Sequence, residues 1–362
     1  MPRCSDSSRL SLAKSFFRFP AASALAAALV VTLGLLVEPL ARGQDAEQDP
    51  LFRVEVDLVL LNVAITDRRG RYIEKLKPED FRVYEDGILQ KLATFAEGNE
   101  APRQISAEGE RAVAAIRTAN PEPLVGRIEP VPRIPPSLGD ESLVGANVFI
   151  LFDTSNFMYR SFVYAEDAIA DFIRGLDAAD SVAVYGYSRN LTRHAPLTNN
   201  RWDAIKGLRL AVAGDETALY NSLLLTLRDA AQVPGRKVVI VFSNGPDSAS
   251  AVAPDDVRAL AEDEGIPIYV ISTKEVNKDP ISRNVFRRLT SSTGGRAFFA
   301  RSWQKQAEAF TEIREELGSS YTLTYYPQPN PNRGWRSITV ELAGDALDRY
   351  RIRTRAGYRP KL

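Results

Sequence analysis

A doubly wound, mostly parallel α/β sheet joined to a smaller β-sandwich is the fold this sequence predicts. Three observations point to it. Between Ala146 and Leu317, short apolar runs alternate with amphipathic stretches of helical period, the pattern of a parallel sheet covered by helices. Val148 to Phe152 is an unbroken apolar run, as a strand buried on both faces requires, and it stops abruptly at Asp153. On either side of this region, over 52–97 and 321–358, apolar and polar residues alternate with period two.

The chain opens with Arg3, Arg9, Lys14 and Arg18 ahead of an apolar run from Ala21 to Val37, followed by Ala41-Arg42-Gly43. Residues 1–43 therefore read as an export signal, or as a membrane anchor if they are not cleaved. Residues 50–98 form the first β-rich segment. Val54, Val56, Leu58 and Leu60 alternate with other residues, and Val63 and Ile65 continue in the opposite phase. That slip predicts a bulge near Leu60-Leu61. Leu76–Phe81 reads as a short helical crossing, and Glu85-Asp86-Gly87 as a hairpin turn. Seven prolines, from Pro102 to Pro136, make 99–143 a linker or loose loop. The α/β domain spans 144–318, with strands expected at 147–152, 181–188, 237–243, 266–272 and 296–300. Leu191–Leu197 is read as an antiparallel edge beside the second of these. The closing segment, 319–362, returns to β. Both β-rich segments are too short to fold alone, so they are expected to pair into one sandwich. Arg351, Arg353 and Arg355 share a strand face, read here as solvated.

Composition removes several functions. Formal charge balances at zero, with 46 basic and 46 acidic residues, so there is no bulk signature of nucleic-acid binding. The only cysteine, Cys4, precedes the apolar run. Disulfides and thiolate chemistry are thereby unavailable to an exported product. His194 is the only histidine, and nothing near it builds a Ser-His-Asp triad. Neither a G-x-G-x-x-G turn nor a Walker loop follows any strand. A phosphatase of the haloacid-dehalogenase type needs a second aspartate where Ser155 stands. No catalytic residue is assigned, and an enzyme is the least supported reading.

Three loops carry the candidate site. Asp153-x-Ser155 follows the first strand, where open α/β sheets place ligands. Thr217 opens an apolar helix within Gly214-Asp215-Glu216-Thr217-Ala218-Leu219-Tyr220, and Ser243-Asn244-Gly245-Pro246-Asp247 follows the strand Val238–Phe242. Together these resemble the von Willebrand factor A (VWA) domain, and within it the bacterial VWFA-related family. That resemblance extends to Asp80–Gly87, Tyr321–Pro327 and Arg355–Tyr358. It implies a Rossmann-like, VWA-like sheet whose upper edge holds Mg²⁺ or Mn²⁺ in an Asp-x-Ser-x-Ser site completed by a distant Thr and Asp. A partner protein's acidic side chain would fill the last ligand position. Asp153, Ser155 and Thr217 match that pattern. Phe157 replaces the second serine and Asn244 the distal aspartate, so the site is degenerate at two positions. Asp215, Glu216 and Asp247 are nearby carboxylates that would compensate. Without a metal, Asp153 and Ser155 would cap the first helix, and Thr217 its own. The expectation is an exported, non-enzymatic interaction protein of the periplasm, envelope or medium, touching membrane only through 1–43. A metal-independent envelope scaffold is the alternative.

Overall fold

The computed structural model describes residues 58–105, 144–156, 158, 162–273, 279–344 and 349–361. The expected signal or anchor, most of the proline-rich stretch, and Phe157 lie outside them. Among the described residues, no helix is long and apolar enough to cross a membrane.

The first β-rich segment supplies β1 (Val59–Thr66), β2 (Phe81–Glu85), β3 (Ile88–Gln90), β4 (Leu92–Glu97) and the two-residue β5 (Arg103–Gln104). β5 takes up the first residues of the expected linker and pairs antiparallel with β4. A 3₁₀ turn over Pro78–Asp80 is the short helical crossing. The β2–β3 turn places Asp86 and Gly87 both at positive φ, the requirement of a tight type I′ hairpin.

The α/β region follows as β6 (Asn147–Asp153), α1 (Phe162–Arg174), β7 (Ser181–Tyr187), β8 (Leu191–Thr198), α2 (Arg201–Leu208), α3 (Leu219–Ala231), β9 (Lys237–Ser243), α4 (Pro254–Asp263), β10 (Ile268–Ser272), α5 (Pro280–Thr293), β11 (Ala297–Phe299) and α6 (Trp303–Ser319). Sheet order is β11-β10-β9-β6-β7-β8, parallel throughout except for β8 at its edge. After β6 the chain builds outward through β7 and β8. After β8 it returns to the other side of β6 and builds outward from β9. β6 and β9 therefore flank the point where strand order reverses, the usual position of a ligand crevice. Val148, Ile150 and Phe152 pack on one core with Ile169 and Ile173 of α1 and Phe310 and Ile313 of α6. Phe149 and Leu151 pack on the other face, with Leu223 and Leu227 of α3 and Val257 of α4. Helices on both faces are why this strand has no polar alternation.

The chain ends in β12 (Tyr321–Tyr325), β13 (Arg336–Leu342), β14 (Arg351–Arg353) and β15 (Gly357–Tyr358). One sheet runs β14-β1-β12-β4-β5 and a second β15-β13-β2-β3, so each interleaves strands from both ends of the chain. Leu61, Val63, Phe95 and Leu323 of the first sheet meet Phe81, Val83, Ile338 and Val340 of the second in one core. The expected bulge at Leu60-Leu61 is absent: β1 pairs with β12 in unbroken register from Val59 to Val63. The apparent phase slip arises because β1 is covered on both sides. Val59, Leu61, Val63 and Ile65 face the sandwich core, while the buried Ala64 lies on the opposite face.

The face of the sandwich sheet away from its core is sealed against the amino-terminal ends of the α/β strands. Arg236, buried just ahead of β9, donates to the carbonyls of Gly98 (3.0 Å) and Leu317 (2.8 Å) and to the Ser320 hydroxyl (2.6 Å). Arg355, also buried, donates to the Glu262 carbonyl at 2.7 Å. Arg353 pairs with the buried Glu316, which also accepts from Tyr72 (2.8 Å) and Tyr269 (2.6 Å). The solvated reading of the arginine face thus fails for Arg353 and Arg355, because the seam covers them.

Candidate functional site

At the carboxyl end of β6, Asp153 is completely buried. One carboxylate oxygen accepts the Ser155 backbone N–H at 2.9 Å. The other accepts the Asn244 backbone N–H at 3.2 Å and faces the Ser243 hydroxyl at 3.4 Å. Ser243 in turn receives the phenol of Tyr187 at 3.0 Å. Burial pushes the Asp153 carboxyl up from its ordinary value, against the nearby Ser155 hydroxyl and the N–H groups donated by Ser155 and Asn244. Such a group favours a proton or a cation beside it. Ser155 Oγ is buried and has no hydrogen-bond partner among the described residues, the one buried hydroxyl in this crevice left unpaired.

Backbone bonds draw the other loops onto this point. Gly214 N–H donates to the Thr154 carbonyl (2.8 Å), and Asn156 N–H to that of Asp215 (3.0 Å). Thr217, buried, donates its hydroxyl to the Pro246 carbonyl at 2.8 Å, and its own carbonyl accepts the N–H groups of Ser248 and Ala249, both at 2.9 Å. The structure therefore gathers Asp153, Ser155, Thr217 and Asn244 at one end of the sheet. It does not aim them all inward. The Asn244 side-chain carbonyl accepts the hydroxyl of Thr273, beyond β10.

The nearby carboxylates are also largely committed. Asp247 accepts the Tyr220 N–H (3.0 Å), the Ser250 N–H (2.9 Å) and the Ser250 hydroxyl (2.7 Å), and so caps α3 from across the crevice. Glu216 pairs with Arg189 at 3.4 Å, and Asp215 is exposed. Thr217 is not a cap, because the N-cap of α3 is Ala218 and makes no side-chain bond. Among the described residues, no cluster of three or more His, Cys, Asp or Glu is arranged to hold a metal. Mg²⁺ takes about six oxygens in near-octahedral geometry. Three residues fit that demand in kind: the Asp153 carboxylate, the unpaired Ser155 hydroxyl and the Thr217 hydroxyl oxygen. Asn244 does not.

Sequence reasoning gave Ser243 no role, although it opens one of the three loops, and missed Tyr187 and Thr273. A signal for Tyr187 and Ser243 existed: four adjacent buried strands, β6, β7, β9 and β10, each end on a residue with a polar group, namely Asp153, Tyr187, Ser243 and Ser272. In register, Asp153 lies opposite Tyr187, and Ser243 opposite Ser272.

Large exposed apolar residues gather around the same end. Helices α1, α5 and α6 begin there, and each carries one or more in its first turn: Val163 and Tyr164, Ile281, and Trp303. Leu210 and Val212 add two more from the segment leading to Gly214. Val212 and Ile281 are each 77% exposed.

Residues 148–246 match the family model of the von Willebrand factor type A domain. The α/β region is a VWA domain. The matched span contains Asp153, Ser155, Thr217 and Asn244. A curated relative, a UPF0353 protein of Mycolicibacterium gilvum, is 25% identical over 182 residues, which cover 42% of this chain and 53% of that protein. The chain thus spans about half the length of that relative. Among solved structures, BatB from Bacteroides thetaiotaomicron aligns at TM-score 0.41 and 19% identity, over 48% of this chain and all of that one. Proximal thread matrix protein 1 from the mussel byssus, solved with a zinc-occupied MIDAS motif, aligns at TM-score 0.41 and 14% identity, over 52% and 49%. The VWA assignment rests on the family match.

Proposed function

We propose that this is an exported, non-enzymatic interaction protein whose VWA domain docks a partner protein on its carboxyl-end rim. One observation carries the reading: exposed apolar side chains stand at the strand end that holds a buried carboxylate, while the sandwich occupies the opposite end. VWA domains are generally interaction modules without enzymatic activity. Large apolar groups grouped around a polar centre are the surface chemistry of a docking site. In this proposal the α/β domain of 144–318 is an insertion between the sandwich halves, 50–98 and 319–362. Asp153, Ser155 and Thr217 hold Mg²⁺ or Mn²⁺ weakly at the centre of the rim, and an acidic side chain of the partner completes the ion's shell.

The second reading, a cation-free envelope scaffold, draws on a different observation. Both Asp153 oxygens already accept protein hydrogen bonds, and Asn244 is turned to Thr273. One experiment separates them. Protein captured from source cells with the wild-type chain is compared with that captured by Val163→Glu/Val212→Glu, each in Mg²⁺ and in EDTA. A partner held by wild type in Mg²⁺ and lost in both the variant and EDTA supports the metal-centred rim. Loss in the variant alone supports the scaffold. A partner retained by a folded variant removes the rim from consideration.

A further inference from the structure

The outer edge of the VWA sheet has a chemistry that the rim does not explain. β11 is the edge strand, paired in parallel with β10 alone. The Arg296 carbonyl accepts the Val270 N–H at 2.9 Å, and the Ala300 N–H donates to the Ser272 carbonyl at 3.1 Å. The Phe298 carbonyl accepts the Ser272 hydroxyl at 3.2 Å. Residues 296, 298 and 300 therefore turn their backbone groups toward β10. The alternation of a strand makes Ala297 and Phe299 turn theirs to the open side. Each is half-buried rather than sealed.

Cations surround this open ladder. The guanidinium groups of Arg283 and Arg287, on α5, lie 4.9 and 5.4 Å from the centre of the Phe299 ring. Arg296 lies 4.5 Å from that of Phe298 and pairs with Glu312 at 2.7 Å. Arg283, Arg287 and the exposed Arg301 have no ion pair among the described residues, and Arg283 Nε is buried without a hydrogen-bond partner. Charge on an edge strand commonly guards against unwanted pairing. A guard, however, works best as a mobile, hydrated ammonium. Guanidinium groups held over an aromatic ring are instead fixed in place, the arrangement that receives carboxylates.

We propose that the β11 edge accepts an extended acidic segment of a partner protein as an added strand. The backbone groups of Ala297 and Phe299 extend the ladder, and Arg283 and Arg287 take carboxylates from alternate residues of the incoming strand. This edge adjoins the rim at Ile281 and Trp303 but uses other groups, the outward backbone of β11 and the arginines of α5.

The test uses the full chain and a fluorescently labelled nonapeptide in which glutamate alternates with valine and threonine, read by anisotropy at low salt. Two control peptides carry lysine for glutamate, or N-methyl groups on one edge of the backbone. Binding of the glutamate peptide alone, weakening as salt rises, is the expected result. Arg283→Glu/Arg287→Glu should weaken it at least about tenfold. Ala297→Pro removes an outward N–H that serves no ladder bond. It should weaken binding by a similar factor with the melting temperature unchanged. Should the double variant fail to fold, the exposed Arg287→Glu alone carries the charge arm. Val163→Glu/Val212→Glu should leave peptide affinity as it is, so loss of the rim reading would not touch this one. No binding of the glutamate peptide, equal binding of the lysine or N-methylated peptide, or indifference to these edge variants would overturn the proposal and leave the arginines as an edge guard.

Discussion

Asp153 concentrates the chemistry of this protein in one side chain. A carboxylate taken fully out of water is costly unless donors or a cation compensate it. Here two backbone N–H groups do so in part, while the neighbouring Ser155 hydroxyl stays unpaired. If the crevice takes a divalent ion, thermal unfolding should move upward in millimolar Mg²⁺ relative to EDTA. Saturating ligand adds ~2–3 kcal/mol by mass action. Asp153→Ala should abolish that increment, because it removes the only carboxylate among the matched positions. The same substitution should lower stability in EDTA as well, since it strands the Ser155 and Asn244 N–H groups. Differential scanning calorimetry with and without Mg²⁺ reads both effects. A melt indifferent to Mg²⁺ in the wild type would favour the cation-free scaffold.

Among the elements, the join between α5 and β11 is the tightest. α5 is capped by Asp279, whose carboxylate accepts the Ile281 N–H at 3.0 Å, and it ends in Gly294 at φ +85°. That left-handed residue lets the chain turn straight into the edge strand. The next residue, Gly295, leaves no room for a side chain: a Cβ there would sit 1.9 Å from the Ile268 carbonyl oxygen. Since the obstacle is backbone of the neighbouring strand, it cannot rotate away. Gly295→Ala should therefore push β11 off β10 and destabilise the protein by ~2–4 kcal/mol. Urea denaturation followed by circular dichroism would measure the loss, and a cost under ~0.5 kcal/mol would contradict this account of the close approach.

For the molecule as a whole, the decisive feature is the seam between the sandwich and the VWA domain. All described residues fall within one compact unit, Glu55–Leu362. The seam is built from cations rather than from a continuous apolar face. Arg236 alone satisfies the Gly98 carbonyl and the Ser320 hydroxyl across it, and the Leu317 carbonyl on its own side. Burial presses the guanidinium toward losing its proton, yet an arginine stays charged, so those acceptors are the compensation for its burial. Arg236→Ala should cost at least ~3 kcal/mol, because it leaves buried acceptors without donors. It should also separate transitions that coincide in the wild type. Tryptophan fluorescence samples Trp202 and Trp303 in the VWA domain and Trp335 beside β13, so single-tryptophan versions can follow each part. Coincident melts in both wild type and variant would show that cooperativity comes from elsewhere.

Periodicity determined the strand-helix alternation and the buried central strand ending in Asp153, and the short gap after the second strand pointed to the antiparallel edge at β8. These are local properties: an apolar run or a helical stripe reports how much of an element is covered, whatever covers it. The end of that strand placed Asp153 and Ser155 where open α/β sheets bind ligands, and the resemblance to the VWA domain added Thr217. What the tertiary structure decided is direction and partnership. Nothing near Asn244 in the chain reveals that its side chain answers to Thr273, or that Asp247 caps α3 from another loop. Arg353 and Arg355 read as a solvated face because strand alternation marks which residues share a side, not what lies against it. Glu316 and the Glu262 carbonyl, brought in by the VWA domain, turn that side into a buried seam. Hydrogen-bond partners chosen across the fold depend on where distant backbones come to rest, and that information exists only once the chain has folded.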